Sequence, residues 1–509
     1  MLGDAKPHSV WVVFVSYYQQ HPASLFGHTL LLFPRGEIDG GALDLGSLAA
    51  SFEGDITDLP ATTYVPAGLF GSLKGQFLLE PFYVKSRKYT SVEQRDLWLF
   101  ELPLSTQEIH RLLLHLWELR SATYDYGFLR ANCSFQVLAA LEAVLRGPDL
   151  TGRLRSIVSP AATLRVLEQQ IGVRRTRFLP SPSSRLRHAL ARLSAADQGR
   201  LSSLIEGPGS AASKTPASTP LLDAALLYFE VNHPYSIFHR PGATAAERDH
   251  VTRHRDLLAE RSLAGAETVA PPTLHSAPPS ENPLFGHALS RLTLTFGRAA
   301  PYGNFLEAGI RGAIHDLGDS PAGFPSGLVL ELARIDLRFA LDARKVFLSQ
   351  LAVVRVGALG AGSDLDIEVR PCWQLSLGAD PIFLSDEQRT GALPTHVGLS
   401  ADLGGAIGNR WIHAFSLIGI KAGTLLDEPN PLIPLLSLKA GLQFNPGERW
   451  TSTVQGNCVA MADRTFPARS GCGLNLNVSI DFSQMMSGVL AGSVTTERRD
   501  LALGVRHYW

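Results

Sequence analysis

Two residue types, far apart in the chain, could together make a nucleophile. Asn132-Cys133-Ser134 follows the aromatic run Tyr124 to Arg130 and opens an apolar segment. In that segment Val137, Leu138, Leu141, Val144 and Leu145 recur at helical spacing, and Gly147-Pro148 ends it. A thiol at a helix start sits among unpaired backbone N–H groups at the positive end of the macrodipole. Both favour the thiolate, which is the reactive form. The same N–H groups can receive an oxyanion. The base would be His28, which follows Phe26-Gly27 and opens the apolar run Leu30 to Phe33. Taken singly, a small buried cysteine or a core histidine explains either position. Taken together they are the parts of a Cys–His site, which is defined by geometry and not by chain order.

Other groups are candidates for supporting roles. Asp44 and Ser47 fall in residues 42–50, where the next strand is expected. Their odd separation puts them on opposite faces, so at most one can orient the imidazole. Ser24 is a polar contact beside His28. Asn132 could donate to an oxyanion or cap the helix, and capping is the expected job. Asp125, Glu142 and His115 read as surface or helix residues. His315-Asp316 sits in a turn between strands without an identifiable partner. There is no His-x-x-x-His, no phosphate-binding glycine loop and no Cys-x-x-Cys, so neither a metal nor a cofactor is expected.

The elements around these residues divide the chain. Its 509 residues are too many for one core and suggest two to four domains. A formal charge of -1 gives no reason to expect nucleic acid. Residues 8–180 read as mixed α and β. Ser9–Tyr18 and Gly27–Phe33 are expected strands. Glu93–Phe100, Thr106–Arg120, Cys133–Leu145 and residues 160–170 read as helices. Residues 181–283 are a helical and Pro/Ser-rich linker region. Small residues fill 206–220, Leu221–Phe229 and Ala245–Leu263 look helical, and Pro and Ser crowd 271–283.

From 284 to 509 the periodicity changes from helical to alternating. Leu292, Leu294 and Phe296 alternate with polar neighbours; so do Leu365, Ile367 and Val369, and Leu474 to Phe482. The last strand puts Leu501, Leu503, Val505, His507 and Trp509 on one face. Asp500, Ala502, Gly504, Arg506 and Tyr508 lie on the other. A soluble antiparallel sandwich gives the same alternation. A terminal strand that ends on an aromatic favours an outer-membrane barrel, of about 10–12 strands for this length. No segment reaches the roughly 18 apolar residues of a spanning helix. Met1-Leu2-Gly3-Asp4 lacks the features of a signal peptide, in tension with an exported protein. Four cysteines are no disulfide framework, but Cys458 and Cys472 could pair across neighbouring strands in an oxidising compartment.

Three runs in order carry a resemblance: Pro22 to Thr29, Glu93 to Trp98, and Tyr126 to Phe135, with His115 to Leu119 between the last two. They resemble the Lnb N-terminal periplasmic domain family over residues 9–180. The Phe285-Gly286-His287 start and the barrel-like remainder resemble the region attached to it in Gram-negative members. The resemblance implies a permuted papain-like domain of the LRAT and NlpC type, with Cys133 and His28 in acyl transfer. It also inclines the third position to Ser47.

The expectation is therefore an α+β chain with a permuted papain-like N-terminal domain, a helical linker region and a C-terminal antiparallel β-barrel. Its function would be that of a cysteine-dependent acyltransferase or hydrolase on lipid or lipoprotein acyl groups. Cys133, His28 and Ser47 would be catalytic; Asn132 and Ser24 would shape the site. The barrel would sit in the outer membrane, with the catalytic domain in the periplasm. Two rivals stand beside this: a peptidoglycan amidase or peptidase, and a non-catalytic scaffold or channel with a degenerate papain-like domain.

Overall fold

The computed structural model describes residues 7–19, 25–38, 44, 46–55, 59–60, 63, 67–68, 71–154, 157–206, 217–233, 244–264, 282–300, 302–360, 369–381, 395–425, 433–461, 470–495 and 498–509. Two compact units divide the chain, Met1–Tyr18 with Phe26–Ala277, and Gln19–Leu25 with Pro278–Trp509.

The first unit is built on a seven-stranded sheet of order β6-β4-β3-β2-β1-β5-β7. Its strands are β1 (Val10–Val15), β2 (His28–Phe33), β3 (Leu48–Gly54), β4 (Leu73–Pro81), β5 (Leu97–Leu102), β6 (Tyr124–Tyr126) and β7 (Thr176–Leu179). β1 pairs antiparallel with both β2 and β5, so β-branched and aromatic residues there are buried on both faces. Trp11, Val13, Val15, Leu30 and Leu32 point to one face and pack with Phe82, Tyr89, Leu97 and Leu99. On the other face Thr29 reaches the helix Cys133–Val144, its hydroxyl 3.1 Å from that of Ser134.

Residues 93–100 correct the helical expectation. Leu97–Leu102 is a strand, and every residue in it is buried. A strand covered on both faces has no period-two signal, and a short apolar run then looks the same as a helix segment. The turn before it is a π-helix, Arg87–Val92. The Thr106–Leu119 helix is as expected, with a capping box between Ser105 and Glu108. Pro160–Gln170 is also helical. Beyond the sheet come helices Pro182–Ala191, Ala195–Glu206, Thr219–Asn232 and Ala245–Leu263. The central parts of the two small-residue breaks, and the alternating run 364–368, lie outside the described residues.

The second unit is a closed barrel of twelve antiparallel strands, β8 (Arg291–Ala300) to β19 (Arg499–Tyr508). β19 closes the barrel by pairing with β8, Leu503 opposite Phe296. Its outward side chains are apolar: Leu501, Leu503 and Val505 are exposed, as are Leu399, Leu403, Ile418 and Ile420 on other strands. The inward ones are charged and paired. Glu331 meets Arg334 and Arg355 at 2.8 Å each, and Lys439 meets Asp402 at 2.7 Å. Apolar outside and ionic inside is the reverse of a water-soluble core. It suits a hydrocarbon surround, where closure leaves no unpaired strand edge. Cys458 and Cys472 form a disulfide across β16 (Trp450–Met461) and β17 (Ser470–Ser483).

One end of this barrel is crossed by its own chain. The loop 316–327 joins β9 (Gly303–His315) to β10 (Leu328–Ala340). Its backbone reaches the opposite wall: Gln443 donates to the Leu317 carbonyl, Ser479 to Gly318 and Thr451 to Asp319. Ser320 donates in turn to the Glu448 carbonyl. Arg291 and Arg311 hold the centre of this loop through Asp319.

Candidate active site

Cys133 is the first residue of its helix, and Asn132 is the cap. The Asn132 carbonyl Oδ1 accepts from the Ser134 and Phe135 backbone N–H groups, at 3.1 and 3.2 Å. Its amide nitrogen donates to the Phe128 and Val158 carbonyls, at 3.0 and 2.8 Å. Both amide hydrogens are thus used, and Asn132 has none left for an oxyanion. It caps the helix and ties the cysteine turn to two loops.

The thiol is buried, and burial pushes its pKa up. The His28 charge and a His28 side-chain hydrogen bond oppose this, joined by the Thr29 backbone N–H and the Ser134 hydroxyl. The balance brings Cys133 down from 9.0 to about 7. At neutral pH about half of it is then thiolate. Nε2 of His28 is itself buried and, among the described residues, has no hydrogen-bond partner of ordinary geometry.

His28 enters β2 through Gly27, whose φ of +82° no branched residue adopts readily. A Cβ at Gly27 would lie 3.0 Å from the Phe14 ring, so the space beside it is already filled by that ring. On the far side of β2, Leu30 pairs with Ser51 and Phe33 with Leu48. Continuing that register by two residues sets Glu53 across from His28. Burial raises the Glu53 pKa, but His28, Lys88 and Lys85 lower it further, to about 2. Lys85 is almost wholly buried and bridges Glu53 and Glu80 at 2.6 Å each. Ser51 donates to the same Glu53 oxygen at 3.1 Å. A carboxylate, an imidazole and a thiol therefore form one electrostatic unit.

Two tyrosines flank it. The Tyr89 ring lies 5.6 Å from that of His28, with the Arg95 guanidinium 5.3 Å from its centroid. Tyr126 stacks on Phe52 and packs so closely on Gly54 that a Cβ there would be 2.8 Å from its ring. Both hydroxyls are pushed well up, first by burial and then by negative charge, with Cys133 and Glu53 among its sources. Both stay neutral.

The histidine strand and the cysteine helix that follows it, in a unit built on one antiparallel sheet, lie within a segment that a family model matches. Residues 2–170 match the Lnb N-terminal periplasmic domain. Residues 280–508 match a second model, a domain of unknown function named DUF7840. A comparison with curated proteins finds no match. Among solved structures, OmpT of Vibrio cholerae is 9% identical, covering 43% of this chain and 96% of its own, at a TM-score of 0.23. The KdgM porin is 8% identical over 43% of this chain and 99% of its own, at 0.26. The NanC porin is 9% identical over 43% and 100%, also at 0.26. The Lnb-type domain and the lipid-suited barrel make this an outer-membrane protein with a periplasmic N-terminal domain.

Within the Lnb-type domain, Cys133 and His28 come together and Ser47 does not join them. Ser47 lies just before β3, beyond the Phe33–Leu48 pair, at the opposite end of β2 from His28. Six residues of strand separate the two levels, roughly 20 Å. Its hydroxyl accepts from the Arg35 backbone N–H at 3.2 Å, which makes it a turn residue. Asp44 is exposed and accepts from the Gly46 N–H. Ser24 lies outside the described residues. Glu53, Lys85, Tyr89 and Tyr126 were missed. The one available signal was Glu53, the only charge in the run Leu-Ala-Ala-Ser-Phe-Glu-Gly.

Proposed function

We propose that this protein is a cysteine-dependent acyltransferase or hydrolase that acts on lipid or lipoprotein acyl groups at the periplasmic face of the outer membrane. The observation that carries this reading is the Cys133 thiol, capped at a helix start and brought down to about 7 by His28. A buried thiol left to itself would move the other way. The difference from 9.0 is worth roughly 3 kcal/mol in favour of the thiolate.

The chemistry follows from the residues. Cys133 Sγ attacks the acyl carbonyl, and the thiol proton resides on His28. We assign the oxyanion to the Cys133 backbone N–H, one position before the two that Asn132 caps. His28 returns the proton to the leaving alcohol or amine as the C–O or C–N bond breaks, leaving an acyl thioester. Water or an amine then attacks the thioester, with His28 accepting its proton, and Cys133 leaves as thiolate. Glu53 supports the imidazolium through charge in both halves. The presence of a lipid-suited barrel in the same chain supports an acyl-lipid donor. The loop across the barrel end speaks against an open channel.

The test is mass spectrometry of the full-length chain after incubation with diacyl phospholipid, with triacylated lipopeptide, and with muropeptides. A fatty-acyl adduct on Cys133, absent in Cys133→Ala, is expected. A muropeptide adduct instead would move the protein to the peptidoglycan amidases. Turnover equal in wild type and Cys133→Ala would end the enzymatic reading.

A further inference from the structure

A cluster in the barrel unit takes no part in this chemistry. His287 precedes β8, His315 ends β9, and Asp319 sits at the centre of the crossing loop; all three are buried. Nε2 of His287 and Nδ1 of His315 are 3.0 Å apart. Oδ2 of Asp319 is 3.6 Å from the first and 4.0 Å from the second. The point equidistant from these three atoms lies about 2.1 Å from each, the length of a zinc bond to imidazole nitrogen or carboxylate oxygen.

The tautomers fit as well. Nδ1 of His287 is 2.7 Å from the Ala288 carbonyl, which can only accept, so that nitrogen carries the hydrogen. Nε2 therefore presents a lone pair to the cluster. Anchoring the remote ring nitrogen on a backbone carbonyl is the usual support of a metal-binding histidine. In the metal-free chain His315 donates its Nδ1 hydrogen to that lone pair. On binding, this hydrogen moves to Nε2 of His315 and Nδ1 turns its own lone pair to the ion, with no net proton released. The Phe324 ring lies 4.7 Å from His287 and 4.3 Å from His315, and both contacts are stacked. Tyr508 packs 4.6 Å from His287.

Charge decides the class of ion. Asp319 already meets Arg291 and Arg311, and Arg506 is 3.9 Å away. Asp316 shares Arg291, Arg311 and Arg334. These guanidinium groups oppose any cation and offset the carboxylates, which leaves too little anionic oxygen for a hard cation. Two imidazoles favour a borderline first-row ion. We propose that His287, His315 and Asp319 form a site for one divalent ion of the zinc class, which pins the crossing loop to the first hairpin of the barrel. Sequence spacing hides this site, because His287 meets His315 and Asp319 only across the β8–β9 hairpin.

The test uses the full-length Cys133→Ser chain in detergent, without a histidine tag and stripped with chelator, titrated with Co²⁺ and then Zn²⁺. One ion per chain should survive gel filtration, and Co²⁺ should give the visible bands of a four-coordinate site that Zn²⁺ abolishes. His287→Gln and His315→Gln should each weaken binding at least tenfold, whereas Asp316→Asn should retain it. Failure of the chain to hold either ion would overturn the proposal. So would undiminished binding in both histidine variants.

Discussion

Glu53 and His28 stand opposite each other when the β2–β3 register is continued, and His28 acts on the Glu53 charge. The carboxylate is held near pKa 2, and His28 is the first group that lowers it. Because His28 also lowers the Cys133 thiol, removing the Glu53 charge should reach the nucleophile through the ring. Glu53→Gln should reduce the rate of Cys133 alkylation at pH 6 about threefold and leave the rate at high pH unchanged. An identical pH profile in the variant would make Glu53 a structural partner of Lys85 only.

The same carboxylate links folding to pH. Its folded pKa is below the unfolded value, so its contribution is complete above about pH 4.5 and is lost as pH falls towards 2. The contribution is on the order of 3 kcal/mol. Denaturant unfolding of the N-terminal unit should therefore weaken between these pH values in wild type. In Glu53→Gln the dependence should be shallower.

Asn132 makes four hydrogen bonds around the cysteine turn. Asn132→Ala should cost about 2–4 kcal/mol, from the lost cap and the two carbonyls left without donors. Asn132→Asp keeps the acceptor but places a negative charge beside the thiol. Its alkylation midpoint should move up, which thiol titration would detect.

Loop 316–327 spans one end of the barrel, from the β9–β10 side to Gln443, Thr451 and Ser479. The intact chain in planar bilayers should show no steady porin-like conductance. A chain in which residues 317–323 are replaced by a short glycine linker should conduct. Steady conductance in the intact chain would show that the loop is no barrier.

The helix of Cys133 and the strand of His28 were legible in the sequence because each has a local signature: an Asn cap before an apolar face, and an apolar run behind a glycine. The twelve-stranded barrel was legible for the same reason, since period-two alternation needs no knowledge of partners. Strand Leu97–Leu102 was not, because burial on both faces erases that alternation. Ser47 was preferred and Glu53 missed, because only the β2–β3 register tells which of them faces His28. Ser47 pairs near the wrong end of His28's strand, and a shift of six residues cannot be read from composition. The His287–His315 contact spans a strand hairpin and has no spacing rule at all.

We propose that His28 makes Cys133 a thiolate near neutral pH. The direct measurement is the ultraviolet thiolate absorbance of the full-length chain against pH, taken as the difference from Cys133→Ser. A midpoint near 7 is expected, rising to 9 or above in His28→Ala. A midpoint at or above 9 in both proteins would contradict it.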